Sequence, residues 1–234
     1  MRALLAFPVL AACATASGET RPDEGPIVIE LFTSQGCSSC PPADALLGQL
    51  AHAGSLGGRP LAPLAFHVDY WNDLGWADPF SLPAWTERQQ AYARSLGDDR
   101  VYTPELVVAG GSGMVGSQRL RVEHAIAAAP RQIAIAAKAK WESSRVTVTA
   151  TAPSDADVWV AIWQEDTRTK IERGENRGET LESARVVRRL ERVAEAGKAG
   201  TLTIPLGDGW RAGGAVAFAQ HRDRRIVGAT MLPR

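Results

Sequence analysis

Ile27-Val28-Ile29-Glu30-Leu31-Phe32-Thr33-Ser34-Gln35-Gly36-Cys37-Ser38-Ser39-Cys40-Pro41-Pro42-Ala43-Asp44 decides the fold of this chain, because it passes from a strand through a cysteine pair into a helix. Ile27 to Phe32 is short, β-branched and nearly all apolar, the pattern of a strand buried on both faces of a parallel sheet. Apolar residues then recur at Ala43, Leu46, Leu47 and Leu50, a helical stripe that ends in Gly54 to Gly58. Pro41 and Pro42 fit only the first turn of that helix, where amides need no intrahelical partner. Cys37 and Cys40 therefore sit where the strand hands over to the helix.

Outward from this junction, Leu64 to Val68 reads as a second strand, completing a right-handed βαβ unit. Tyr70 to Pro83 is turn-rich and carries Trp71 and Trp76; Ala84 to Leu96 reads as a helix closed by Gly97. Glu105 to Ala109 is a strand, Gly110 to Gly113 a turn, and Met114-Val115 a returning strand, with Ser117 placed to cap a helix reaching Ala129. The order is βαβαββα over residues 26–130. Beyond Pro130 the texture changes to short alternating runs such as Val146-Thr147-Val148-Thr149-Ala150-Thr151, in which valines face one side and threonines the other. Ile133 to Trp141, Val158 to Glu165, Arg185 to Val193, Thr201 to Ile204, Ala215 to Gln220 and Ile226 to Met231 bring the strands to about seven, so residues 131–234 are expected to form an antiparallel β-sandwich. Glu175-Asn176-Arg177-Gly178-Glu179 reads as a polar hairpin turn.

Ala3 to Ala12 is an apolar run too short to span a bilayer and follows a basic start, so residues 1–16 read as a secretory signal and 17–25 as a tether. Ala14-Thr15-Ala16 fits ordinary cleavage, and Leu10-Ala11-Ala12-Cys13 resembles the bacterial lipoprotein signal, in which Cys13 would be lipidated. The expected location is periplasmic or secreted, with membrane attachment only through that lipid. Of 234 residues, 26 are Lys or Arg and 26 Asp or Glu, and a net charge of zero offers nucleic acid no field to follow.

Export implies an oxidising compartment, in which a CxxC pair can work as a redox dithiol, remain an inert disulfide or hold a metal. The dithiol reading is favoured by position. Cys37 at a helix N-terminus has unpaired amides and a favourable dipole to stabilise a thiolate, and is expected to be exposed, whereas Cys40, one turn on, faces the helix interior as resolving thiol. Metal binding would need further ligands; no second CxxC or HxxxH spacing supplies them, and His67 reads as a core histidine. No metal or dissociable cofactor is expected. The partners are a protein or small thiol or disulfide substrate and a redox partner protein. Val101-Tyr102-Thr103-Pro104 precedes the third strand, and a cis proline there would bring the Thr103 backbone beside the sulfurs. Trp71 and Trp76 lie at the same end of the sheet, as a substrate rim or as packing for the long loop.

Together these residues resemble the thioredoxin-fold superfamily, and the order from Ile27 to Ala129 is most similar to its glutaredoxin-type core. The resemblance implies Cys37 as nucleophile, Cys40 as resolver, Thr103-Pro104 as the substrate-positioning loop and Glu30 as a buried carboxylate moving the resolving thiol's proton. The stretch from Glu30 to Asp44, with Val101 to Pro104 and Glu175 to Gly178, is also similar to a bacterial family of exported thioredoxin-like proteins of unknown function. The activity implied is thiol–disulfide exchange. The rival is a thioredoxin scaffold that binds a partner or a metal ion without catalysis.

Overall fold

The computed structural model describes residues 24–165 and 167–234. The expected signal, Cys13 and most of the tether lie outside them; the tether's end is tied down, since Gly25 donates its amide to Gln132 O at 2.9 Å. The first half runs β1 (Ile27–Thr33), α1 (Pro41–Ala53), β2 (Ser55–Leu56), β3 (Arg59–His67), α2 (Pro83–Leu96), β4 (Glu105–Val108), β5 (Ser112–Val115) and α3 (Arg119–Ala128). The second half adds β6 (Ala137–Trp141), β7 (Arg145–Thr151), β8 (Asp157–Gln164), β9 (Thr167–Lys170), β10 (Thr180–Ser183), β11 (Val186–Ala194), β12 (Ala199–Pro205), β13 (Ala212–Gln220) and β14 (Ile226–Pro233).

The result is a mixed α/β fold around one large mixed sheet. Every residue of β1 is buried, as its apolar run requires, and β1 pairs in parallel with β3 and antiparallel with β4. Alternation sends the side chains of β1 to two cores. Ile27, Ile29 and Leu31 pack with Leu46, Leu47 and Leu50 of α1 and with Val122 and Ile126 of α3. Val28 and Phe32 point the other way, to Trp85 and Tyr92 of α2. Helix α1 follows its predicted stripe and ends at Gly54, whose φ of 66° is the left-handed cap that glycine adopts without steric cost. Ser117 does not cap α3: Gln118 occupies that position and makes no side-chain cap bond.

The sheet does not stop near Pro130. Val186 of β11 pairs with Ala65 of β3, and the strand order β14-β13-β8-β11-β3-β1-β4-β5 runs across both halves. The expected sandwich is thus present as a layer and not as a separate sheet pair. A three-stranded sheet, β12-β7-β6, covers the outer face of β8, β11, β13 and β14 through Val146, Val148, Val158, Val160 and Ile162. The inner face of the same strands sends Trp163, Val216 and Phe218 into the core shared with Phe32 and Phe66. Three strands escape the sequence reading: the two-residue β2, which pairs with the start of β3, and β9 and β10, which pair with each other as a hairpin beside α1 and whose Thr, Arg, Lys and Glu residues carry no apolar alternation.

Candidate functional site

Cys37 and Cys40 form a disulfide, with Cα atoms 5.5 Å apart, and Cys40 is the N-cap of α1. The loop between β1 and α1 is held by its own backbone: Cys37 N donates to Ser34 O and Cys40 N to Cys37 O, each at 3.2 Å. The Thr103–Pro104 peptide is cis, and Ser39 Oγ lies 3.5 Å from Thr103 O and 3.3 Å from Cys37 Sγ. Cys37, Cys40, Thr103 and Pro104 are therefore brought to one place.

Cys37 is not the exposed thiol expected from sequence. Both cysteines are 0% exposed, and only Ser38 and Ser39 between them reach solvent. The backbone of the cysteine loop is held by a contact from the second half of the chain. The loop joining β9 to β10 lies over the cysteine loop, where Asn176 Nδ2 donates to Gln35 O at 2.9 Å and Cys37 O at 3.0 Å. Glu175 Oε2 accepts from Ser38 N at 3.0 Å, and these Ser38 bonds hold the Glu175 carboxyl below its usual range. Gln35 Nε2 donates to Thr169 Oγ1 of β9 at 3.0 Å. The β9–β10 loop turns at Gly174, φ 79°, where a Cβ would stand 3.0 Å from that of Trp76. The polar turn expected at Glu175–Glu179 is thus also a clamp.

Trp71 and Trp76 border the site with their indole N–H groups occupied internally. Trp71 donates to Thr103 Oγ1 at 2.8 Å and Trp76 to Gln35 Oε1 at 3.3 Å. Both are half-buried and pack the long loop against the cysteine segment.

Glu30 is misassigned by the resemblance. It is buried on the face of β1 shared by Val28 and Phe32, whereas α1 and its cysteine lie on the face of Ile29 and Leu31. Its carboxylate is taken by Arg88 Nε at 2.7 Å and by the Tyr92 hydroxyl. Arg88 is itself stacked 5.6 Å from the Phe218 ring centroid, so the pair joins the two halves of the chain. Tyr92 is pushed far above its ordinary range by burial.

The carboxylate on the cysteine side is Asp44. It follows Cys40 by one helical turn, on the same face of α1, and accepts from Thr33 Oγ1 at 3.0 Å. Burial raises its pKa to about 7, against an opposing pull from His67. His67 Nδ1 is 2.7 Å from Asp78 Oδ2, which also accepts from Gln35 N at 2.7 Å. Burial depresses the His67 pKa, but Asp78 outweighs it and the net shift is upward; Asp78 is lowered, its burial outweighed by His67. The spacing of Asp44 from Cys40 was visible in the sequence; the approach of His67 and Asp78 was not. Among the described residues no group of three or more His, Cys, Asp or Glu is placed to hold a metal, and no helix is long and apolar enough to cross a membrane.

Fold and site define a mixed α/β protein built around a CxxC disulfide at a helix N-terminus. The chain belongs to the family described as Protein of unknown function (DUF1223), whose model matches residues 28–220. Among solved structures it is similar to protein AGR_C_4864 from Agrobacterium tumefaciens, at 28% identity and a TM-score of 0.67 over 88% of this chain and 93% of that one. It is also similar in fold to HBP35 of Porphyromonas gingivalis, at 14% identity and a TM-score of 0.58 over 90% of this chain and 76% of the other. No curated protein matches it.

Proposed function

We propose that this is an exported thiol–disulfide oxidoreductase whose first half is a thioredoxin-like unit. The observation that carries the reading is the disulfide opening α1 with Ser39 of its loop 3.5 Å from the Thr103 carbonyl. Support for the fold comes from the order β1, α1, β3, α2, β4, β5, α3, with β1 parallel to β3 and antiparallel to β4. The location rests on the N-terminal sequence.

In the reaction, the Cys37 thiolate attacks a substrate disulfide; one sulfur bonds to Cys37 and the other leaves as thiolate. Cys40 then attacks Cys37 Sγ, restoring the internal disulfide and releasing the second substrate thiol, so that two electrons pass from the protein to the substrate. Run in reverse, the pair oxidises a dithiol, and a redox partner protein restores the starting state. The exposed Ser38 and Ser39 mark the edge at which substrate approaches.

The complete shielding of both sulfurs favours a second reading, a scaffold with a permanent disulfide whose task is recognition. Equilibrating the protein in glutathione buffers distinguishes the two. Exchange at a potential of roughly −120 to −270 mV supports the oxidoreductase, and a bond that stays closed in every buffer supports the scaffold.

A further inference from the structure

Resting on that reading, we propose that the groove between α1 and the β9–β10 hairpin seats an extended segment of a polypeptide substrate, which adds as a third strand to the open edge of β10. The groove has a volume of about 860 Å³ and begins at Pro41, the residue after Cys40. From α1 it is lined by Asp44, Ala45, Gly48, Gln49 and His52, a stripe distinct from the one that enters the core; Thr103 and Pro104 do not line it. From the hairpin it is lined by Thr180 through Ala184 without a break. A strand presenting a face would offer alternate residues, so an unbroken run means that the edge of β10 opens onto the groove. β10 pairs with β9 on its other side, and among the described residues Thr180–Ser183 make no further backbone–backbone hydrogen bond. Counting along the ladder from the bond of Ile171 N to Glu179 O, Thr180 and Glu182 turn their N–H and C=O groups outward, where another chain can pair with them.

The two walls match in length. Pro41 to His52 rises about 17 Å along the helix, and an extended segment as long as Thr180–Ala184 spans about 17 Å as well. The charges select an uncharged occupant. Arg168 and Glu182 pair across the hairpin at 3.7 Å, and Asp44 towards one end of the groove is set against His52 at the other, so no ion of either sign finds an unopposed field. A neutral peptide backbone complements that balance, and its amides answer those of Thr180 and Glu182. Gly48 keeps the groove wide. Glycine weakens a helix interior, yet a Cβ at Gly48 would meet nothing nearer than the Ala184 Cβ at 3.9 Å, so packing does not call for it.

The test adds a fluorescein-labelled hexapeptide of alternating threonine and valine to the oxidised protein and reads its anisotropy. The wild type is expected to bind it and to show slower amide exchange at Thr180 and Glu182. Methylating alternate backbone nitrogens of the peptide should weaken binding about tenfold in the register that faces β10. Gly48→Leu, which fills the groove with a better helix former, should do the same, and Ala45→Leu at an exposed position repeats the test if the first variant folds poorly. No binding by the wild type, or binding that survives methylation in both registers or both substitutions, overturns the docking site. A dimer in sedimentation that Gly48→Leu abolishes would make a second copy the occupant and overturn it too. With the reduced protein, the peptide joined through a cysteine to thionitrobenzoate should show a KM about tenfold below that of cysteine joined to the same leaving group, a gap that Gly48→Leu closes. Equal KM values in the wild type overturn the substrate groove and leave the oxidoreductase standing. Peptide bound but neither disulfide cleaved overturns the oxidoreductase, and with it the peptide's part as substrate, while strand addition to β10 stands.

Discussion

The side-chain amide of Asn176 donates to the carbonyl oxygen of Cys37 at 3.0 Å, tying a turn of the second half to the reactive loop of the first. The same amide reaches Gln35 O, so one buried side chain satisfies two backbone acceptors that flank Gly36.

Asn176→Ala leaves Gln35 O buried without this donor and Cys37 O with Cys40 N alone. The expected cost is about 1–3 kcal/mol, read as a lower urea midpoint, together with faster reduction of the disulfide by dithiothreitol. An unchanged midpoint and reduction rate would show that the clamp carries no strength.

Arg88→Met strands the Glu30 carboxylate in an apolar core and should destabilise by about 3–5 kcal/mol. Adding Glu30→Gln to it should recover part of the loss. Glu30→Gln alone is expected to leave the pH dependence of disulfide exchange where it was, because Arg88 and not the cysteine pair faces this carboxylate. A moved profile would return Glu30 to the chemistry.

Asp44 makes stability fall as pH rises. Its carboxyl is raised from 3.8 to about 7 in the folded protein, chiefly by burial, so folding favours the protonated form. That contribution is complete below the unfolded value and is lost between it and about 7. Asp44→Asn, which cannot ionise, should therefore be more stable than the wild type at pH 8 by on the order of 1–3 kcal/mol, with the advantage gone at pH 3. Chemical denaturation at the two pH values reads this directly, and equal differences at both would sink it.

Glu175 places a negative charge on the amide next to Cys37. Glu175→Gln should speed alkylation of the reduced protein at Cys37 by iodoacetamide about two- to three-fold at low salt, an effect that shrinks as salt screens the exposed carboxylate. A slower reaction would mean that the carboxylate serves mainly to hold Ser38 in place.

Much of the first half was legible because its signals are local. The all-apolar run of β1, the stripe on α1 and the Pro41-Pro42 start each follow from neighbours within a turn or two, and each element formed where expected. The alternation of Val146, Val148 and Ala150 likewise put those residues inside. The β9–β10 hairpin was not legible, since Thr167-Arg168-Thr169-Lys170 has no apolar face; its pairing is stabilised by a neighbouring helix that the local pattern does not encode.

The amino-acid order alone determined the strands and helices that carry an apolar pattern, and that two cysteines stand at the start of α1, because propensity, periodicity and proline stereochemistry act over a few residues. Only the tertiary structure decided that both halves share one sheet through Val186 and Ala65, that Glu30 belongs to Arg88, and that Asn176 bonds the backbone of the cysteine loop. Those outcomes depend on which face of a strand a helix covers and on which distant backbone satisfies a buried carbonyl, and both are settled only when the whole core packs.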